Sequence, residues 1–205
     1  MTGRELLAFA RSKMGTAYVY GMKGTRMSES DYTYLKNRYG SVVWESDKNK
    51  IGQICVDCSG LISWATGVVL GSAQLYERAG RREHISTIKT APIGALVWRR
   101  GHVGIYAGLK NNEPYYIAAD GSQYGVREVP LSRNSFTHWM LMDNMDYQEE
   151  EAEMVTNDTI IVDGREYRVD MIRKDDVTYI KTRDIASAIG AEVSHKGRIP
   201  VITTK

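Results

Sequence analysis

The residue best suited to chemistry in this sequence is Cys58, which follows an aspartate at the predicted start of a helix. Asp57 is a good N-cap residue, because its carboxylate can accept a hydrogen bond from an unpaired N–H of the first turn. Apolar residues then recur at three- and four-residue spacing as far as Gly71, which is expected to end the helix. They are Leu61, Ile62, Ala65, Val68 and Val69. A thiol at the positive end of a helix dipole is predicted to have a lowered pKa and to react as a thiolate.

A nucleophilic cysteine needs a base, and His102 lies on a segment that alternates as a strand does. Val103 and Ile105 fall on one face, and His102 and Gly104 on the other. Gly104 is expected to leave room beside His102 for a facing helix terminus or a substrate backbone. A cysteine at a helix start and a histidine on a strand, distant in sequence and adjacent in space, is the arrangement of cysteine peptidases.

Three stretches resemble, in the same order, the signature blocks of the NlpC family of cell-wall cysteine peptidases. They are GTAYVYG at 15–21, DCSGLISWA at 57–65 and HVGIYAG at 102–108. The resemblance covers residues 1–147. It implies a papain-like α+β fold and cleavage of peptide bonds in peptidoglycan stem peptides, typically between D-glutamate and a diamino acid.

The resemblance also implies roles for two residues beside the nucleophile. Tyr18 would lie next to Cys58 and help to hold the substrate or the oxyanion, and simple packing on the helix is the alternative. Ser59, directly after the cysteine, is likewise predicted to contact substrate.

The residue that should orient His102 departs from the family pattern. The family uses a polar side chain on the next strand, and aligning the stretch 116–121 puts Ala118 at that position. Alanine cannot hydrogen-bond to an imidazole. Asp120 lies two residues further on, hence on the same face of the strand, and is predicted to replace it as the third catalytic residue. The alternative for Asp120 is an exposed turn residue, because Asp-Gly pairs are common in turns.

Cys55 and Cys58 are separated by two residues and form a Cys-x-x-Cys pair, a motif that has two other uses in proteins. A zinc site would need further ligands, and the four histidines are scattered without paired spacing. A thioredoxin-type pair would place its first cysteine at the helix start inside a βαβ unit, whereas here the second one lies there. Cys55 is therefore interpreted as a packed thiol, and neither a metal nor a cofactor is predicted.

Composition and charge exclude several classes of protein. The 205 residues are 42% hydrophobic and 25% charged, with a net charge of +2, which is ordinary for a soluble globular protein and gives no indication of nucleic-acid binding. Residues 1–147 carry 18 basic and 13 acidic residues, a modest lean that would suit an anionic cell wall. Two cysteines exclude a disulfide framework, and no apolar run approaches membrane-spanning length.

Two domains are predicted, 1–147 and 154–205, separated by the charged stretch QEEEAE at 148–153. In the first, a capping box at Thr2–Glu5 opens a helix that Gly15 should end, with Met14 facing inward. Further helices are expected near 30–38 and at 74–79, the latter ended by Gly80. Strands are expected at 95–98, 102–108, 115–120, 125–131 and 138–143. N-terminal helices on an antiparallel sheet make an α+β, papain-like domain.

The second domain is predicted to be a small α+β unit. A hairpin turns at Asp163-Gly164, and a further strand at 177–181, a helix at 183–189 and two short strands follow. The stretch 177–197 resembles the copper amine oxidase N-terminal-like stalk domains of bacterial surface proteins. That resemblance implies a module for wall binding or association, without a metal site, through which the chain could form a homo-oligomer.

The sequence therefore predicts a peptidoglycan hydrolase of the phage endolysin type, in which Cys58 attacks a stem-peptide carbonyl and His102 transfers the proton. An N-acyl amidase or a transferase on the same scaffold is one alternative, and a catalytically silent wall-binding module is another. No signal peptide is recognised, so the chain is expected to be made in the cytoplasm and to act on the bacterial cell wall after release.

Overall fold

The structure, a computed structural model, describes residues 1–147, 155–174, 177–196 and 199–204. The chain divides into two compact units, Met1–Gln148 and Glu149–Lys205. The predicted linker at 148–153 lies outside the described residues. In the part of the chain that is described, no helix is long and apolar enough to cross a membrane.

Within its described residues, 1–147, the first unit contains four α-helices and nine strands. The helices are α1 (Gly3–Ser12), α2 (Glu29–Tyr39), α3 (Cys58–Thr66) and α4 (Ser72–Glu77). The strands are β1 (Ala17–Tyr18), β2 (Lys23–Arg26), β3 (Ile54–Val56), β4 (Ala79–His84), β5 (Leu96–Arg99), β6 (His102–Lys110), β7 (Glu113–Ala119), β8 (Val126–Pro130) and β9 (His138–Met142). The predicted α+β class is confirmed.

The main sheet of this unit has six strands in the order β4-β9-β5-β6-β7-β8, and each neighbouring pair is antiparallel. One face of it packs against α1 and α3 through a buried apolar cluster that includes Leu6, Leu61 and Ile105. The other face carries a second cluster around Tyr116 and Trp139. A smaller sheet, β1-β3-β2, packs against α2 and contains the one parallel pair of the described strands, β1 with β3.

The capping box of α1 is confirmed, since the Thr2 and Glu5 side chains each accept from the other's backbone N–H. The helix ends earlier than predicted, at Ser12, because Lys13 already leaves helical geometry. The prediction that Met14 faces inward is therefore wrong, and this side chain is 46% exposed.

Two further predictions about helix ends are wrong. α3 ends at Thr66 because Gly67 adopts a left-handed C-cap, so Val68 and Val69 project into solvent instead of extending the apolar stripe. α4 ends before Gly80, which lies inside β4, the strand that sequence analysis missed. β4 is a polar edge strand, Ala-Gly-Arg-Arg-Glu-His, and such a sequence lacks the apolar alternation that identifies a strand.

The described residues of the second unit form β10 (Thr156–Val162), β11 (Arg165–Lys174), β12 (Val177–Ile180), α5 (Thr182–Ala188), β13 (Glu192–Lys196) and β14 (Ile199–Thr203). The predicted hairpin is present: β10 and β11 pair in register about Asp163 and Gly164. Both turn residues have positive φ, 51° and 76°, as a type I′ turn requires. A three-stranded sheet, a helix and a two-stranded hairpin make this unit α+β as well.

We expect residues 1–147 to fold and to retain catalytic activity without the rest of the chain, because the apolar clusters of the first unit are built from its own residues. The matching fragment 154–205 is expected to bind cell wall or to self-associate. Thermal unfolding and wall digestion by the two fragments, measured beside the full chain, test this. An insoluble 1–147 fragment, or a 154–205 fragment that binds neither wall nor itself, would contradict this division.

Candidate active site

The carboxylate of Asp57 joins the turn after β1 to the start of α3. It accepts hydrogen bonds from the backbone N–H of Gly60 and, at 2.9 Å, from that of Gly21, and the Lys23 ammonium lies 2.7 Å away. The N–H of Asp57 donates in turn to the Met22 carbonyl at 2.9 Å. Asp57 is only 4% exposed, so its charge is stabilised by these donors in place of water. The predicted N-cap is confirmed, and it fixes the first two sequence blocks against each other.

Gly60 allows this close approach of backbone to backbone. A Cβ atom at this position would lie 2.3 Å from the carbonyl oxygen of Met22, well inside contact distance. Larger residues would push the start of α3 away from the turn and would move the neighbouring thiol with it.

Ser59 lies in the same buried network. Its hydroxyl donates to Asp57 Oδ1 at 3.0 Å and accepts from Lys23 Nζ at 3.1 Å. The side chain thus helps to hold the N-cap carboxylate, and a direct contact with substrate stays a prediction.

Cys58 is the first residue of α3, and its sulfur lies against the beginning of β6. The backbone N–H groups of Val103 and Ser59 lie close enough to this sulfur to favour its ionised form. Val103 directly follows His102 in β6, so the thiol lies beside the neighbour in sequence of the residue that carries the imidazole. The side chain packs in the apolar cluster between α3 and the sheet and is 6% exposed.

The expectation of a lowered thiol pKa is wrong for this structure. Burial, reinforced by the neighbouring Asp57 carboxylate, raises the pKa of Cys58 to about 11. The N–H groups of Val103 and Ser59 and the charge of Lys23 act in the opposite direction and do not outweigh burial. At neutral pH the thiol is then almost entirely protonated. Cys58 is therefore a protonated thiol at rest, and any attack by it needs a base.

Tyr18 lies close enough to Cys58 for the charge of the thiolate to affect the ionisation of the phenol. Burial, followed by the charges of Cys58 and Asp57, raises the pKa of the Tyr18 phenol above its usual value. The hydroxyl therefore keeps its proton at neutral pH and is able to donate a hydrogen bond. The Tyr18 backbone is held on the other side by Lys50, whose ammonium donates to its carbonyl at 2.7 Å.

His102 is held by two contacts that set the plane of its ring. Nε2 lies 3.1 Å from Oδ1 of Asp120, and the ring stacks on Phe136 with centroids 5.6 Å apart and planes 13° from parallel. The residue is 7% exposed. The structure thus brings Asp120 to His102, and it leaves Nδ1 as the ring nitrogen that does not face the carboxylate.

Asp120 is a buried carboxylate, and the exposed-turn alternative is wrong because its side chain is only 5% exposed. Burial acts to raise the pKa of this carboxyl, but hydrogen bonds from His102 and Arg127 and the charge of the guanidinium outweigh it. The pKa therefore lies below its ordinary value, and the group is ionised at neutral pH. Arg127 donates through Nε at 2.6 Å and also through Nη2.

The expectation that Gly104 leaves room for a helix terminus or a substrate is also wrong. A Cβ atom at Gly104 would lie 2.8 Å from Cδ2 of Tyr116, so the ring of that tyrosine fills the space.

Cys55 lies on β3 and is, as predicted, a free and fully buried thiol packed in an apolar cluster. Across the described ranges no group of three or more His, Cys, Asp or Glu side chains is placed to hold a metal ion.

Sequence reasoning missed Lys23, Arg127, Tyr116 and Asn134, which complete the polar surroundings of Asp57 and Asp120. Tyr116 could have been found, because it shares the alternation of β7 with Ala118 and Asp120. Lys23 and Arg127 contact the carboxylates directly and Asn134 contacts the Tyr116 hydroxyl, and nothing in the local sequence of these three residues indicates those partners.

The fold and this site together define an α+β protein with a buried thiol at a helix start beside a His–Asp pair. A scan of protein-family models and a search of curated proteins give no match.

Solved structures that are similar to the chain include the following two. The P60 domain of an antigen from M. avium subspecies paratuberculosis matches with a TM-score of 0.45 and 22% identity, covering 68% of this chain and 93% of that one. The NlpC/p60 domain of the peptidoglycan hydrolase SagA matches with a TM-score of 0.44 and 22% identity, covering 69% of this chain and 100% of that one.

Proposed function

We propose that this protein is a cysteine peptidase of the cell wall that hydrolyses a peptide bond in peptidoglycan stems. The observation that carries the proposal is the meeting of Cys58, at the start of α3, with the first residues of β6, where His102 is held by a buried carboxylate. The sequence blocks that resemble the NlpC family contain both of these residues, and that resemblance supplies the substrate class. The D-glutamyl–diamino acid bond is the preferred site of cleavage.

The first half of the reaction forms an acyl-enzyme. His102 takes the thiol proton through Nδ1 while the sulfur of Cys58 attacks the carbonyl carbon. The two events occur together because the pKa of Cys58 is raised and the thiol is protonated before the reaction. The carbonyl oxygen gains the negative charge, and backbone N–H groups at the start of α3 together with the Tyr18 hydroxyl are suited to stabilise it. His102 then gives its proton to the leaving amine as the C–N bond breaks.

The second half releases the peptide. Water gives a proton to His102 and its oxygen attacks the thioester carbon, after which the C–S bond breaks and the sulfur recovers the proton. Asp120 accepts a hydrogen bond from Nε2 throughout and stabilises the imidazolium in both halves. No step requires a cofactor.

A catalytically silent module is less well supported than the sequence alone suggested, since a buried carboxylate now accompanies His102 despite alanine at 118. The amidase and the transferase would use the same thioester, and they differ from the peptidase in the bond broken or in the acceptor. The endolysin role stays a prediction.

Digestion of purified walls distinguishes these functions. The full chain is incubated with walls of several chemotypes, and the newly formed termini are identified by mass spectrometry. A peptidase releases fragments with a new amino group on a diamino acid and a new carboxyl on its neighbour. Release of the whole stem from the glycan would indicate an amidase, new cross-links would indicate a transferase, and no new termini from any chemotype would contradict the proposal.

A further inference from the structure

Tyr116 is a fully buried tyrosine whose hydroxyl reaches the carboxylate beside His102. It lies on β7, and Asp120 directly follows the end of that strand. The hydroxyl is 3.2 Å from each oxygen of Asp120. Phe136 packs edge-on against the Tyr116 ring, with centroids 4.9 Å apart, and its own ring stacks on His102. The three rings and the carboxylate are therefore one packed assembly.

The donor and the acceptor of each hydrogen bond in this assembly can be assigned by starting from Arg99, at its outer end. Arg99 can only donate, and its Nε lies 2.7 Å from Oδ1 of Asn134. The N–H of Ser135 also donates to that oxygen at 2.9 Å, so the amide of Asn134 turns its NH₂ group towards Tyr116, whose oxygen lies 3.4 Å away. With its oxygen accepting, the hydroxyl directs its own proton to Asp120.

The Tyr116 phenol is suited to this role as a donor. Its burial raises the pKa of the phenol to about 12, so the phenol is protonated at neutral pH, where the Asp120 carboxylate is ionised. Asp120 in turn accepts from Tyr116, from Arg127 and from His102. Since an ionised carboxylate can only accept, the proton of its bond to His102 belongs to Nε2, and a neutral imidazole keeps a free lone pair on Nδ1.

We propose that Tyr116, held by Asn134 and Arg99, is a positioning residue that fixes Asp120 and through it the Nε2–H tautomer of His102. The inference rests on the proposed function, because the Nε2–H tautomer matters for activity only if Nδ1 of His102 takes the proton of Cys58. It differs from the expected arrangement because two residues, Tyr116 in β7 and Asp120 directly after it, together take the role that a single polar residue at 118 was expected to have.

Ala118 is the residue that makes this arrangement possible. It lies between Tyr116 and Asp120 on the same face of β7, in the same packed cluster, and is 1% exposed. A larger side chain there would occupy the space that the tyrosine crosses to reach the carboxylate. Alanine at 118 and the absence of a side chain at Gly104 thus both make room for one ring.

The test compares Tyr116→Phe with Tyr106→Phe in the full chain. Tyr106 is a matched control, since it is buried in the same cluster and pairs directly with Tyr116 across the strands. Loss of a hydrogen bond to a charged group is expected to lower kcat of Tyr116→Phe about 10-fold or more, with KM changed by less than about twofold. Tyr106→Phe is expected to stay within about twofold of the parent in both.

A second readout needs no activity. Nitrogen-15 spectra of the histidine rings, recorded near pH 9 where imidazoles are ordinarily neutral, report the tautomer, and His102→Gln identifies the His102 signals. We expect the Nε2–H form in the parent and in Tyr106→Phe, and a mixture of tautomers in Tyr116→Phe. If the parent shows the Nδ1–H form, or if Tyr116→Phe changes neither the tautomer nor kcat, the proposal is overturned.

Failure of the proposed function gives a different pattern. A chain that cuts no wall but shows the expected tautomers would refute the peptidase and leave the positioning role of Tyr116 standing. Ala118→His provides an independent arm: it is expected to lower kcat by displacing Tyr116. A rise in kcat would show that the site is still arranged for a residue at 118, and it too would overturn the proposal.

Discussion

Replacing Cys58 with alanine or serine is expected to abolish wall digestion, lowering kcat by about 10³-fold or more, as loss of a catalytic nucleophile does elsewhere. Alanine has no nucleophile to attack the carbonyl. Serine supplies a hydroxyl, which is far harder to deprotonate than even this buried thiol. The rate of release of new amino termini from purified wall is the measurement, with thermal unfolding to show that the variants fold.

Cys55→Ala is the matched control, because both thiols are buried and lie three positions apart. It is expected to keep most of the activity while losing about 1 kcal/mol of unfolding free energy through the small cavity left beneath β3. If the Cys55 and Cys58 variants were equally inactive and equally stable, a function that uses both thiols would replace the peptidase.

Replacing Asp120 with alanine is expected to lower kcat by roughly 10²-fold or more and to change KM far less. Without the carboxylate the imidazole loses the acceptor at Nε2, so its ring plane, its tautomer and the stability of the imidazolium are no longer fixed. Arg127 loses its partner as well, but its side chain is 32% exposed and water can replace the carboxylate. Steady-state kinetics on a soluble wall fragment separate kcat from KM.

Glu128→Gln serves as the control for Asp120, since Glu128 lies on the neighbouring strand β8 and forms ion pairs with Arg11 and Lys110 away from His102. It is expected to leave kcat within about twofold of the parent, as surface ion pairs contribute little. An Asp120→Ala chain with full activity would mean that Cys58 and His102 work as a pair, or that another residue orients the imidazole.

The sequence was most informative where a local pattern and its physical cause coincide. The N-cap at Asp57, the capping box of α1, the alternation along β6 and the Asp163-Gly164 turn all depend on residues within a few positions of one another. Such features follow from hydrogen-bonding groups and side-chain periodicity, which one sequence displays directly.

It was least informative where distant segments determine the outcome. The raised pKa of Cys58 depends on how deeply α3 is buried against the sheet, and the helix dipole alone predicted the opposite direction. The space at Gly104 is filled by Tyr116 from the next strand, and Arg127 meets Asp120 only because β7 pairs with β8. Tertiary contacts of this kind leave no trace in local spacing.

The acyl-enzyme tests the central claim most directly. A Cys55→Ala chain, which retains a single thiol, is mixed with purified wall fragments, quenched in acid at short times and analysed by mass spectrometry. A thioester is predicted on Cys58, with the mass of the acyl half of the cut stem peptide, and it should be absent from Cys58→Ala. Walls that are cut while no adduct forms at any time, and that are cut equally well by Cys58→Ala, would contradict catalysis by this cysteine.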